Sequence, residues 1–138
     1  MQERFEKCPL LKDNYLVSNT GKVINIDTNK ELTGVITKKG YRRLIFRDRK
    51  NNSVKYYFVH RLVAETFITN EYNKTEVNHI DSDRLNNKID NLEWCTRSEN
   101  VRHSFQHGNK SHIGIKNPNC KYYKSNNPNI ETISSQVP

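Results

Sequence analysis

Apolar positions recur in two rhythms along the chain, and each change of rhythm marks a part. In Asp13 to Ile26 the apolar Tyr15-Leu16-Val17 and Val23-Ile24 flank the polar stretch Asn19-Thr20-Gly21. This reads as a strand, a turn and a second strand, a hairpin. Leu32 to Ile36, Tyr41 to Phe46 and Val54 to Val59 are further runs rich in β-branched and aromatic residues. Lys38-Lys39-Gly40 and Arg47 to Asn52, both of turn composition, separate them. They predict a small antiparallel sheet. From His60 to Ile68 the spacing becomes helical, with Val59, Leu62, Val63 and Phe67 forming a stripe that predicts a scaffold helix over about 60–68. That stripe should pack against the sheet and Trp94, while Thr69 to Thr75 is a polar connector.

Beyond the connector, Asn78-His79 closes a short segment framed by Val77 and Ile80, and the polar run Asp81 to Asn87 makes a turn-rich loop. Leu92-Glu93-Trp94-Cys95 alternates as a strand does. Thr96-Arg97-Ser98-Glu99 fits a capping box, so a helix should start at Arg97 and carry Asn100 and His103, three apart, on one face. The result is a β-loop-β-α unit. From Gly108 onward the periodicity fades into Asn, Lys, Gly, Ser and Pro, and the segment 109–138 reads as an extended or partly ordered tail. Lys116, Lys121, Tyr122, Tyr123 and Lys124 are its candidates for lying along an anionic polymer.

Composition adds a partner class. The 138 residues include 23 Lys+Arg against 15 Asp+Glu, a net charge of +8, and the pI is near 9.5, which favours an anionic polymer such as nucleic acid as partner. Mean hydropathy is -0.94, yet the apolar residues are clustered enough for a folded middle. Cys8, Cys95 and Cys120 are too few and too dispersed for a zinc site or a disulfide framework, so they read as free thiols in a reducing compartment. Met1-Gln2-Glu3-Arg4-Phe5 opens no apolar leader and no run of 18 apolar residues occurs. The expected location is the cytosol.

Taken together, His60-Arg61-Leu62-Val63-Ala64, Asn78-His79-Ile80-Asp81, Asn86-Asn87, Asn91 and Ser98-Glu99-Asn100 resemble the phage and intron-encoded HNH homing endonucleases over roughly residues 14 to 120. The resemblance implies an α+β fold with three parts. These are a β-rich N-terminal module with one connecting helix over 1–72, a ββα-metal nuclease core over 73–108, and the irregular tail. It implies His79 as general base, Asn91 as the residue that orients it, and Asn100 as a metal ligand on the helix. Asn78 is a second oxygen ligand, at a place where some relatives carry Asp, which leaves the site less anionic. Gly114 to Lys121 resembles the linker that in longer relatives leads to a helix-turn-helix.

Phosphodiester hydrolysis needs a deprotonated water and positive charge on the phosphorane and leaving oxygen. An imidazole suits the first task at neutral pH. In this reading Nε2 or Nδ1 of His79 takes the proton while the Asn91 side-chain oxygen accepts from the other ring N–H. Oxygen ligands favour Mg²⁺ or Mn²⁺. If His103 rather than Asn100 faces the ion, Zn²⁺, Ni²⁺ or Co²⁺ fits better. Lys38, Lys39, Arg42 and Arg43 on the sheet rim, and Arg84, Lys88, Arg97 and Arg102 around the core, are the candidate phosphate contacts; each also reads as an ordinary solvated charge. Asn86 and Asn87 read as turn-formers, Asp81 as a loop cap with a metal-ligand alternative, His60 as a capping or packing residue, and Trp94 as core.

The expected function is a metal-dependent DNA endonuclease that acts as a monomer on double-stranded DNA without an organic cofactor. Two rivals stand beside it. One is a catalytically silent DNA-binding module on the same fold, the other a nonspecific or RNA-directed nuclease on the same core.

Overall fold

The computed structural model describes residues 1–107. The chain divides into two compact units, Met1–Trp94 and the segment from Cys95 onward. The tail read as extended over 109–138, with Cys120 and its basic and tyrosine residues, lies outside the described residues.

In the first unit, β1 (Phe5–Lys7), β2 (Tyr15–Ser18), β3 (Val23–Asn25) and β4 (Lys30–Glu31) form an antiparallel sheet in that order. The expected hairpin is β2–β3, with Val17 opposite Val23 and the turn closed by Gly21 N–H donating to Ser18 O at 3.1 Å. A second sheet follows, β5 (Val35–Ile36), β6 (Arg42–Asp48) and β7 (Ser53–Phe58). Sequence rhythm predicts this sheet from three runs, the first of them β-rich from Leu32 to Ile36. The chain instead breaks at Gly34, whose φ of +64° belongs to the left-handed region, and where a Cβ would overlap the Arg43 carbonyl. The short strand β1 was not anticipated at all.

β7 runs without a loop into α1 (Val59–Phe67), whose apolar stripe meets β2 and β6. Leu62, Val63 and Ala64 are fully buried with Val17, Val23, Leu44 and Val59, and Val77 and Leu92 join the same cluster. One core therefore serves both the N-terminal sheets and the strands β8 (Glu76–His79) and β9 (Leu92–Cys95), which pair with each other. Fully burying one such side chain contributes about 1.5–3 kcal/mol, so the platform under His79 is as firm as the core itself. The division drawn at 72–73 from sequence separates parts that share this core. Trp94 packs against it, donates Nε1–H to Ile68 O at 2.9 Å, and carries the Arg61 guanidinium 5.5 Å over its ring.

Between β8 and β9 lies a turn-rich loop ending in a 3₁₀ turn over Ile89–Asn91. The second unit contains α2 (Arg97–Gln106), which opens with the capping box expected from sequence. Glu99 N–H donates to Thr96 Oγ1 at 3.2 Å, and Thr96 N–H donates to Glu99 Oε2 at 2.7 Å. Among the described residues no helix is long and apolar enough to cross a membrane.

Candidate active site

His79 ends β8 with 5% of its surface exposed. Its Nε2 lies 2.8 Å from Asn87 Oδ1. An amide oxygen only accepts, so Nε2 must carry the ring proton, and Nδ1 is left with the lone pair. Sequence assigned this orienting bond to Asn91 and read Asn87 as a turn-former; the structure gives the bond to Asn87. The reason is how the loop closes. Asn91 is spent on the loop itself: its Oδ1 accepts from Asp81 N–H at 3.0 Å, and its Nδ2 donates to Asp81 Oδ1 at 2.9 Å and to Asn86 O at 2.8 Å. Asn91 thus braces the backbone that presents Asn87, one step removed from the imidazole.

The N-terminal module holds Asn87 from the other side. A Cβ at Gly21, where φ is +99°, would come within 2.9 Å of Asn87 Cβ, so the hairpin turn and the loop touch backbone to side chain. Ile89 N–H donates to Asn19 O at 2.9 Å across the same seam. No local pattern could have exposed this partnership, because its two halves lie 66 positions apart, Gly21 to Asn87. Its one sequence signal was the doubled Asn86-Asn87 within a loop otherwise built of charged turn residues.

Asp81 is a loop cap. Asp83 N–H and Asn91 Nδ2 donate to its Oδ1 at 2.8 and 2.9 Å, and Asn86 Nδ2 donates to its Oδ2 at 2.8 Å. The Asn86 hydrogen bond leads the causes that hold the Asp81 carboxyl below the usual carboxylate range.

A ring of aromatic and imidazole groups backs His79. His60, in the first turn of α1, packs edge to face on it with centroids 4.9 Å apart, and Tyr41 lies 6.0 Å away. The Arg84 guanidinium sits 4.9 Å over Tyr41 and donates Nη1–H to Lys39 O at 2.6 Å. Burial lowers the His79 pKa below 6.5, with the Asn87 hydrogen bond and the Asp81 charge opposing it, so the imidazole is neutral at physiological pH.

His60 is 9% exposed, its Nδ1 has no hydrogen-bond partner, and burial pushes its pKa down to about 3. The unfolded chain therefore binds a proton near pH 6.5 that the folded chain refuses. The stability this group supports is complete above pH 6.5 and is lost as pH falls from 6.5 toward 3. Urea midpoints measured across that window are expected to fall less steeply for His60→Phe than for the native chain; equal slopes would remove His60 as a source of acid instability.

The ligands that the resemblance implies for a divalent ion are chiefly amide side chains, and each is placed by its own element. Asn78 on β8 is buried, and its Nδ2 donates to Glu93 Oε1 at 2.9 Å, which turns Oδ1, the atom a hard cation takes, the other way. On α2, Asn100 and His103 occupy positions i and i+3, and the His103 ring stacks on His107 with centroids 3.9 Å apart. Among the described residues no cluster of three or more His, Cys, Asp or Glu could hold a metal.

Of the candidate phosphate contacts, Lys38 and Lys39 are exposed at the β5–β6 turn and Lys88 is exposed beside Asn87. Arg42 donates Nη1–H to Thr33 O at 2.6 Å, and Arg43 lies 4.8 Å over the Tyr56 ring. Arg97 and Arg102 are exposed on α2. Ion pairs among the described residues join Arg4 to Glu6, Lys12 to Asp48 and Lys22 to Glu3.

Comparison with known proteins places this geometry. Residues 57–102 match the HNH endonuclease family model and residues 3–47 the NUMOD4 motif. An uncharacterised HNH endonuclease of Acanthamoeba polyphaga mimivirus is 44% identical over 91 residues, covering 66% of this chain and 27% of the relative. The DNA endonuclease I-HmuI of Bacillus phage SP01 is 38% identical over 96 residues, covering 69% of this chain and 53% of the relative. The chain thus spans about a quarter to a half of these relatives' lengths. A solved structure of DNA binding and cleavage by I-HmuI superposes with a TM-score of 0.65 at 34% identity, covering 76% of this chain and 59% of that one. Residues 57–102 thus match an HNH endonuclease domain, set behind residues that match the NUMOD4 motif.

Proposed function

We propose that this chain is a metal-dependent endonuclease that hydrolyses phosphodiester bonds of double-stranded DNA, as a nick or a double-strand break, in the manner of the HNH homing endonucleases. The observation that carries the reading is the buried, neutral His79 with its Nε2 proton tied to Asn87 and its Nδ1 lone pair left for a water. His79 is the general base: Nδ1 takes a proton from the water that attacks the phosphorus, and the Asn87 oxygen steadies the imidazolium that forms. Asn91 is a positioning residue that keeps the loop in shape. Asn78 and Asn100, or His103 in place of Asn100, are the residues that hold the ion. Mg²⁺ or Mn²⁺, when bound, supplies the positive charge that the leaving oxygen needs. Lys38, Lys39, Arg42, Arg43, Lys88, Arg97 and Arg102 position the duplex through its phosphates, while Arg84 supports the wall of the site from Tyr41.

The test is supercoiled plasmid incubated with the protein and Mg²⁺, Mn²⁺ or Zn²⁺ in turn, with and without EDTA, and with RNA as competitor. Relaxed or linear product that vanishes with EDTA is the expected result. Plasmid that is bound yet stays intact with every ion overturns the reading in favour of a silent DNA-binding module, and preferential competition by RNA overturns the substrate. The charge supplies a second expectation. Each phosphate neutralised contributes about -0.9 to the slope of log K against log salt, so duplex affinity measured between low and moderate salt should fall steeply. A flat profile would mean that the +8 surface does not engage DNA.

A further inference from the structure

The pairing of β8 with β9 brings a carboxylate to the Asn78 amide, which is proposed above as a ligand of the cation. Glu93 is exposed, shares in none of the ion pairs recorded among the described residues, and accepts a 2.9 Å hydrogen bond from Nδ2 of the buried Asn78. An asparagine can offer a cation either its oxygen or its amino group with almost the same shape, and the amino group repels it. An ionised carboxylate accepts and never donates, so only Nδ2 can face Glu93 and Oδ1 must face away. The bond is also charge-assisted, which makes it roughly twice as strong as a neutral one and draws electron density toward Oδ1.

We propose that Glu93 is the positioning residue of the cation site, supplying from the neighbouring strand, through the Asn78 amide, the negative charge that this chain lacks at position 78. The proposal rests on the reading of Asn78 as a metal ligand. It makes the Asn78–Glu93 pair a single unit in which the neutral residue touches the ion and the charged one aims and polarises it.

The experiment is Mn²⁺ binding to the full chain without DNA, read by the paramagnetic resonance signal of the free ion, which follows weak and tight binding alike. The proteins compared are the native chain, Asn78→Ala, Glu93→Gln, and the exchange Asn78→Asp with Glu93→Gln, all checked for an unchanged melting temperature. Glu93→Gln keeps size but loses charge, and its Mn²⁺ affinity should fall about 10–100-fold, the usual loss when a supporting partner of a ligand is removed. The exchange places the carboxylate at 78, where it accepts from the Gln amide, and should restore or exceed native affinity. If Asn78→Ala loses Mn²⁺ while Glu93→Gln stays within about threefold of native, on the scale of that 10–100-fold loss, the role given to Glu93 is overturned and the ligand reading stands. If Asn78→Ala binds as the native chain does, both fall. An exchange variant no better than Glu93→Gln also overturns the proposal, because charge at this pair would then have no hold on the ion.

Discussion

His79→Ala is expected to cut DNA about 10²–10⁴-fold more slowly than the native chain, the usual cost of losing a general base, while duplex affinity changes by no more than a few-fold. The two effects separate because the cations proposed to position phosphates lie on other side chains, whereas the proposed proton acceptor is a single nitrogen, His79 Nδ1, whose partner atom Nε2 is already committed to Asn87. The same substitution removes a ring from the group formed by His60 and Tyr41, so part of any loss must be checked against stability. Comparing thermal unfolding with single-turnover cleavage does so. The pH dependence provides a second control. Burial depresses the His79 pKa, so the acid limb of native cleavage is expected at lower pH than for an ordinary histidine. A His79→Ala protein that keeps more than about a tenth of native cleavage, against the minimum hundredfold cost of a lost base, would take the histidine out of the base role.

How far the sequence led differs between residues for a physical reason. Wherever structure depends on neighbours within a few positions, the pattern was legible. The capping box at Thr96 to Glu99, the β2–β3 hairpin and the apolar stripe of α1 are local, and each formed where spacing predicted. Leu32 to Ile36 misled because its β-forming side chains outweighed one glycine, and Gly34 was needed for a close approach to Arg43 that no local signal encodes. β1 escaped because Phe5-Glu6-Lys7 is too short for a period to register, and its strand geometry comes from pairing with Leu16, Val17 and Ser18. Inside the site, His79 stood out as an imidazole in an apolar frame. Which asparagine would meet it was not readable, since three of them, Asn86, Asn87 and Asn91, have the same chemistry within six positions. The choice was made by Ser82, whose φ of +66° turns the chain after β8, and by the hairpin turn at Gly21 pressing on Asn87. Both are tertiary consequences of the shared core.

That separation of roles between two asparagines can be measured. Asn91→Ala should destabilise the fold by about 3 kcal/mol, because it removes three hydrogen bonds in a loop where each is worth about 0.5–1.5 kcal/mol, and more when a carboxylate takes part. It leaves the Asp81 amide, the Asp81 carboxylate and the Asn86 carbonyl each short of a partner. Cleavage should fall with it, since the loop that presents Asn87 loses its brace. Asn87→Leu keeps the branched shape and leaves the Asn91 brace intact. Beyond whatever stability it costs, it should slow cleavage on the order of 10²-fold in protein that is still folded, because Nε2 no longer has an acceptor to fix the tautomer and the proton can settle on Nδ1, the nitrogen that must be bare. Asn87→Asp supplies a sharper sign. A carboxylate facing Nε2 favours the imidazolium, so the His79 pKa should rise and the acid limb of cleavage move to higher pH relative to the native chain. Urea titration and a pH–rate profile on the three variants decide the matter. If Asn91→Ala is as stable as the native chain, or if Asn87→Asp leaves the acid limb where it was, the roles drawn from these hydrogen bonds are wrong.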